Sequence, residues 1–185
     1  VSPSFTVMVP ELRDKSPANY PLLAAGGIVD GKGLAAALAA GADVVVSGTR
    51  FVVCPECDAP EEHKAKLIEA IRHSTSVISE SWDQFSGFLW PERTHARALK
   101  NDIYYQHHVP VGSKQYVPTQ EEKYTCRSSV NDFNMRAAWA GAGVEMVKDR
   151  CAATEVLITI TDEARTCLQS AQTRIAYIAE QQRSR

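Results

Sequence analysis

The sequence predicts an α/β fold, the C-terminal part of a (β/α)8 barrel followed by a helical extension, and three patterns carry that prediction. The run Leu22-Leu23-Ala24-Ala25-Gly26-Gly27-Ile28 reads as a buried strand that ends on two glycines. A short helix later, Val44-Val45-Val46-Ser47-Gly48-Thr49-Arg50-Phe51 repeats the arrangement. Two consecutive βα units with small residues at the strand ends are what the late strands of such a barrel use to hold a phosphate. Near the C-terminus, Val156, Ile160, Ala164, Cys167, Ala171, Ile175 and Ile178 step by fours and threes, the stripe of a long amphipathic helix. That stripe overrides the β-branched composition of Val156 to Thr161.

In chain order, Gly26 and Gly27 come first. A phosphate needs backbone N–H donors with no Cβ in the way, and glycine supplies both conditions. Asp30-Gly31-Lys32-Gly33 reads as a turn. Leu34 to Ala40 then forms an Ala/Leu helix of high propensity, closed by Gly41 just past its end. Ala42 to Ser47 is β-branched with almost no polar alternation, as expected of a parallel strand covered on both faces. Gly48-Thr49 ends it. Glu61 to His73 is an amphipathic helix, with Ala65, Ile68 and Ile71 or Arg72 expected on its packing face.

Ala24-Ala25-Gly26-Gly27-Ile28, the helix from Gly33 to Leu38, Gly41-Ala42-Asp43 and Gly48-Thr49-Arg50-Phe51 together resemble the nitronate monooxygenases, formerly 2-nitropropane dioxygenases. The resemblance implies an FMN-dependent oxidoreductase of the (β/α)8 type that oxidises alkyl nitronates with molecular oxygen. It also implies that Gly26, Gly27, Gly48 and Thr49, with Ala25 and Ser47 beside them, face the FMN phosphate. IMP dehydrogenases and FMN-type enoyl-thioester reductases share the double glycine and Gly-Ala-Asp, so both stay as alternatives. Thr49-Arg50-Phe51 favours the monooxygenases or their reductase relatives, and the dehydrogenase reading lacks a glycine-flanked cysteine before the double-glycine strand. Arg93 to Asn101 looks like the arginine-rich helix that follows the barrel in this family. Trp139-Ala140-Gly141-Ala142-Gly143-Val144 looks like its late glycine motif, with Gly141-Ala142 where the family usually has Gly-Gln.

The chain has 185 residues, against about 250 for a complete barrel. If the two glycine-ended strands are the seventh and eighth, the first five have no sequence here. In the family those early strands carry the catalytic histidine, so no residue of this chain is assigned as the base. The expectation is a C-terminal part of a longer enzyme, opening on Val1. Residues 1–75 would hold the last βα units and the phosphate site, and 76–185 a mainly helical lid and extension. A non-catalytic remnant that binds FMN or phosphate is the reading from another class. Open strand edges would favour self-association.

A formal net charge of −2 without a basic stripe argues against nucleic acid as a partner. No window has the roughly 18 apolar residues of a membrane span. Five cysteines without a framework suit a reducing, cytoplasm-like compartment. Cys54-Pro55-Glu56-Cys57 has redox or zinc spacing, but no second pair follows, and it is read as incidental.

Arg50 is read either as a phosphate ligand or as the partner of a barrel carboxylate. Ser74 to Pro91 reads as irregular, its Trp82, Phe85, Phe88 and Trp90 forming a small core or a flavin roof. Tyr104 to His108 reads as extended, placing His107 and His108 on opposite faces as solvent or interface residues. Thr119-Gln120-Glu121-Glu122 has the form of a capping box and predicts a helix start.

Overall fold

The computed structural model describes residues 4–73, 76–87, 94, 96–108, 116–129 and 131–183. They form two compact units, one comprising Val1–Ser47 with Ala152–Arg185 and the other Gly48–Cys151.

The first unit is built on a strand–helix–strand repeat. β1 (Leu23–Ala25) pairs in parallel with β2 (Val44–Val46), with Leu23 opposite Val44 and Ala25 opposite Val46. Between them runs α2 (Gly31–Ala39), preceded in the chain by α1 (Phe5–Lys15), an element without a clear sequence signal. The expected turn at Asp30 to Gly33 is instead the start of α2. Asp30 caps the helix by accepting from the Gly33 N–H at 2.8 Å, so Gly31 is already helical. At the other end Gly41 adopts φ 105°, while the Ala42 and Gly41 amides bond back to Ala37 and Leu38. This is the glycine-terminated helix end anticipated from the sequence.

Val9, Ala24, Ile28, Ala37 and Ala42 make the core of this unit. Asp43 fastens its base: one carboxylate oxygen accepts the Leu22 amide at 2.8 Å and also pairs with Arg13, whose Nε donates to the Gly41 carbonyl at 2.9 Å. The Leu22 amide and then the Arg13 guanidinium hold the Asp43 carboxyl below its usual range. β2 departs from expectation in its burial. Leu23, Val44 and Val46 are about half exposed, so the strands are covered on one face rather than two. In-register parallel pairing puts these residues on the same side of the sheet while Ala24 and Val45 turn toward the core.

α8 (Ala153–Arg183) completes the first unit as the long helix the 4-3 stripe predicts. Val156 and Ala164 are buried and Ile160, Cys167 and Ala171 half-buried, but Ile175 and Ile178 are exposed. The helix lies against α2 so closely that a Cβ on Gly31 would come within 2.2 Å of the Glu163 Cβ.

The second unit begins with α3 (Thr49–Val52) and α4 (Glu61–His73). The face of α4 differs from the expected one: His63, Lys64, Leu67 and Ala70 are buried, Ile68 is half-buried and Ala65 is exposed. The side chains of Ile71, Arg72 and His73 lie outside the described residues. α4 packs on a 3-10 turn at Val144–Met146.

Two further expectations are corrected here. The segment after α4 is not irregular, since β3 (Ser76–Ile78) and α5 (Ser81–Ser86) form within it. Arg97–Leu99, expected in an arginine-rich helix, is β4, antiparallel to β3 with Ser76 opposite Leu99. Main-chain pairing also ties β4 to Ala138, Trp139 and Ala140. Arg93 and His95 lie outside the described residues.

Trp82 and Phe85 are buried in a core with Ala98, Ile103, Cys126 and Ala137, the small core of the two roles considered for them. Phe88 and Trp90 lie outside the described residues. Tyr104 to His107 is helical, in α6 (Asp102–His107), not extended. Asn101 caps that helix and also accepts the Trp82 indole N–H at 2.9 Å. His107 and His108 are half-buried, their rings stacked on Tyr116 and Tyr104 with centroids 4.4 Å apart. α7 (Gln120–Ser128) starts on the predicted capping box, in which the Thr119 hydroxyl accepts the Glu122 amide and the Glu122 carboxylate accepts the Thr119 amide.

Candidate functional site

Parallel pairing carries the C-terminal ends of both strands to the same edge of the sheet. Since Ala25 pairs with Val46, the residues that follow, Gly26 and Ser47, leave the sheet together. Gly26 and Gly27 have φ of 101° and 72°, a region that a side-chain-bearing residue adopts only with strain. The turn they make is open to solvent: Ala25, Gly26 and Gly27 are exposed, and a Cβ on Gly26 would meet nothing within 4 Å. Ser47 locks this turn. Its hydroxyl donates to the Ile28 carbonyl at 2.6 Å, which joins the end of β2 to the loop after β1. With its hydrogen so used, the Ser47 side chain cannot also donate to an anion.

Gly48 and Thr49 open the second unit. Gly48 is exposed, has φ −87°, and a Cβ placed on it would meet nothing within 4 Å. An alanine there is sterically free, so the opening is a property of the surface and not of a strained backbone. The Thr49 hydroxyl accepts the Gly141 N–H at 2.8 Å. The late glycine motif therefore reaches the Gly48-Thr49 turn through Gly141, a link the sequence did not show.

Each turn separately offers what a phosphate requires, which is backbone approached closely with no Cβ in the way. Each turn taken by itself fits a phosphate group in that sense.

Arg50 resolves to the structural member of its two expected roles. Buried, it pairs with Asp149 at 2.6 Å, donates to the Asp149 carbonyl at 3.0 Å and lies 3.2 Å from the Cys151 sulfur. The cysteines are free thiols, and burial raises the Cys54 thiol above its ordinary range. Among the described residues no group of three or more His, Cys, Asp or Glu side chains could hold a metal ion.

A cavity of about 150 Å³ in the second unit is lined by Lys66, Leu99, Lys100, Phe133 and Asn134 among others. It contains none of the residues expected at the FMN phosphate, and it falls short of the roughly 300 Å³ at which small-molecule pockets begin.

Comparison with known proteins gives a consistent assignment. The nitronate monooxygenase family model matches residues 4–163. A nitronate monooxygenase of Neurospora crassa is 28% identical over 172 residues, covering 89% of this chain and 44% of the relative. One from Paraburkholderia phytofirmans is 50% identical over 144 residues, covering 72% and 35%. Among solved structures, nitroalkane oxidase from Streptomyces ansochromogenes aligns with TM-score 0.65 and 26% identity, over 89% of this chain and 45% of that one. A FabK variant from Thermotoga maritima aligns with TM-score 0.67 and 25% identity, over 92% and 49%. The chain thus spans less than half the length of these proteins, and its fold is part of a (β/α)8 barrel with a helical C-terminal segment. It belongs to the nitronate monooxygenase family.

Proposed function

We propose that this chain is the flavin-phosphate-binding part of a nitronate monooxygenase-like enzyme, with FMN as the flavin and alkyl nitronates and molecular oxygen as the reactants. The observation that supports this most is the pair of open glycine turns following two strands that parallel pairing holds in register. Ala25, Gly26, Gly27, Ser47 and Gly48 would offer main-chain donors to the phosphate, and Thr49 its hydroxyl. Ser47 acts on the loop instead of the ligand through its side chain, by fixing Ile28. Bound FMN would supply the electron acceptance that no protein side chain provides.

The contribution assigned to this chain is binding and orientation, and none of its residues is assigned proton transfer. Residues 1–75 are proposed as the phosphate-binding segment and 76–185 as the covering and C-terminal segment. No helix among the described residues is long and apolar enough to cross a membrane. The free thiols favour a reducing, cytoplasmic compartment.

The test is a titration of the purified chain with FMN, read by flavin fluorescence, for the wild type and Gly48→Val. Because that Cβ meets no protein atom within 4 Å, the variant is expected to retain its circular dichroism spectrum and lose at least tenfold in affinity. FMN binding that is indifferent to Gly48→Val would overturn the assignment of this turn. Absence of saturable binding by a folded wild type would remove the flavin reading altogether.

A further inference from the structure

The Thr49 hydroxyl is held in an unusual way for a side chain at a ligand turn. It is an acceptor, bonded by the Gly141 N–H at 2.8 Å. Among the described residues no acceptor is paired with its own hydrogen, which the hydroxyl can offer to a ligand oxygen. A hydroxyl that has accepted one N–H still has its own proton to donate, and phosphate oxygens are strong acceptors.

What places the Gly141 N–H there is a set of bonds, each within the second unit. The Gly141 carbonyl accepts the Ser76 hydroxyl at 3.0 Å. Ala140 N–H donates to the Arg97 carbonyl at 3.2 Å, and the Trp139 carbonyl meets His63 Nε2 at 3.1 Å. Ser76 is itself buried and fixed, since it pairs with Leu99 across the sheet and its carbonyl accepts Arg97 Nη1 at 2.7 Å. Both main-chain polar groups of Gly141 are therefore occupied, the carbonyl by the Ser76 hydroxyl and by the Val144 N–H at 3.2 Å, and the N–H by Thr49. The Ser76 bond is the only one of these that consists of a buried side-chain hydroxyl acting on Gly141 directly.

We propose that Ser76 is a positioning residue for phosphate recognition: by holding Gly141 it presents the N–H that turns the Thr49 hydroxyl outward as a donor, and so it sets the preference for FMN over riboflavin. This rests on the flavin reading above. Ser76 need not touch the ligand. Its effect passes through one glycine, which makes it separable from general stability.

The experiment measures the affinities of the 185-residue chain for FMN and for riboflavin, which lacks the phosphate, in the wild type, Thr49→Val, Ser76→Ala, Ser76→Thr and the Thr49→Val/Ser76→Ala double variant. A hydrogen bond to a charged group corresponds to roughly tenfold in affinity. Thr49→Val is expected to weaken FMN about tenfold and leave riboflavin unchanged. Ser76→Ala is expected to weaken FMN about threefold with riboflavin unchanged, and to add nothing once Thr49 is valine. Ser76→Thr, which keeps the hydroxyl, is expected to retain the wild-type ratio.

An unchanged FMN-to-riboflavin ratio in Ser76→Ala would overturn the proposal. So would equal weakening of both flavins, the mark of a merely structural role, or full additivity with Thr49→Val. Failure of the flavin reading looks different: the wild type would then bind neither flavin, or both alike, and the inference would fall with it.

Discussion

His63 occupies the first turn of α4 with its ring stacked on Phe133 at 4.9 Å between centroids. Its Nε2 lies 3.1 Å from the Trp139 carbonyl, an acceptor, so that nitrogen carries the hydrogen in the neutral ring. Burial pushes its protonation below the ordinary histidine range. The unfolded chain takes up this proton near pH 6.5, whereas the folded chain takes it up only at lower pH. Between those two values the unfolded state binds more protons, so stability falls as pH falls. Denaturant midpoints should drop between pH 7.5 and pH 5.5, and drop less in His63→Gln. Equal losses in both proteins would assign the acid sensitivity elsewhere. Asp43, Glu61 and Glu122, whose carboxyls are held below their usual range, contribute stability that is lost at still lower pH, in a separate window.

α2 and α8 pack through a glycine and a carboxylate. The Glu163 carboxylate accepts the Gly31 N–H at 2.9 Å, which places negative charge at the start of α2, where the helix dipole favours it. A methyl group on Gly31 would lie 2.2 Å from the Glu163 Cβ, 2.5 Å from the Ala164 nitrogen and 2.7 Å from the Ile160 carbonyl oxygen. Two of those three obstacles are helix backbone and cannot swing aside. Gly31→Ala gains about 1 kcal/mol of intrinsic helix propensity. Overpacking against backbone costs about 1–3 kcal/mol, and here the clash is the larger effect. The variant should therefore unfold at lower denaturant concentration, with faster hydrogen exchange along α8. A Gly31→Ala protein as stable as the wild type would mean that the two helices do not press together here.

The first unit exposes apolar surface on its sheet and at the end of α8, among other places. Leu23, Val44 and Val46 share one face of the β1–β2 sheet, and Ile175, Tyr177 and Ile178 lie along the last turns of α8. A contiguous apolar face on a short parallel sheet favours association. Sedimentation is expected to show self-association that increases with concentration. Leu23→Lys with Val46→Lys should weaken it, while the unfolding free energy changes by no more than about 0.5 kcal/mol because both side chains are already half in solvent. Association that is indifferent to these lysines would point to another surface.

Local spacing was enough to determine much of this protein. The glycine-ended strands, the Ala/Leu helix with Gly41 beyond it, the capping box at Thr119 and the 4-3 stripe of α8 depend on residues within a turn or two of one another. Such signals survive in a sequence read one window at a time, and with them came the family and the position of its glycine turns. The tertiary structure alone decided which face of α4 is buried, that Arg97–Leu99 pairs as a strand, and that the His107 and His108 rings stack on Tyr116 and Tyr104. It also decided the partners of the site residues. Ser76 and Gly141 are 65 positions apart, Thr49 and Gly141 are 92 apart, and Gly31 and Glu163 are 132 apart. No periodicity spans such separations, because each contact depends on how whole elements pack and not on the neighbours of either residue.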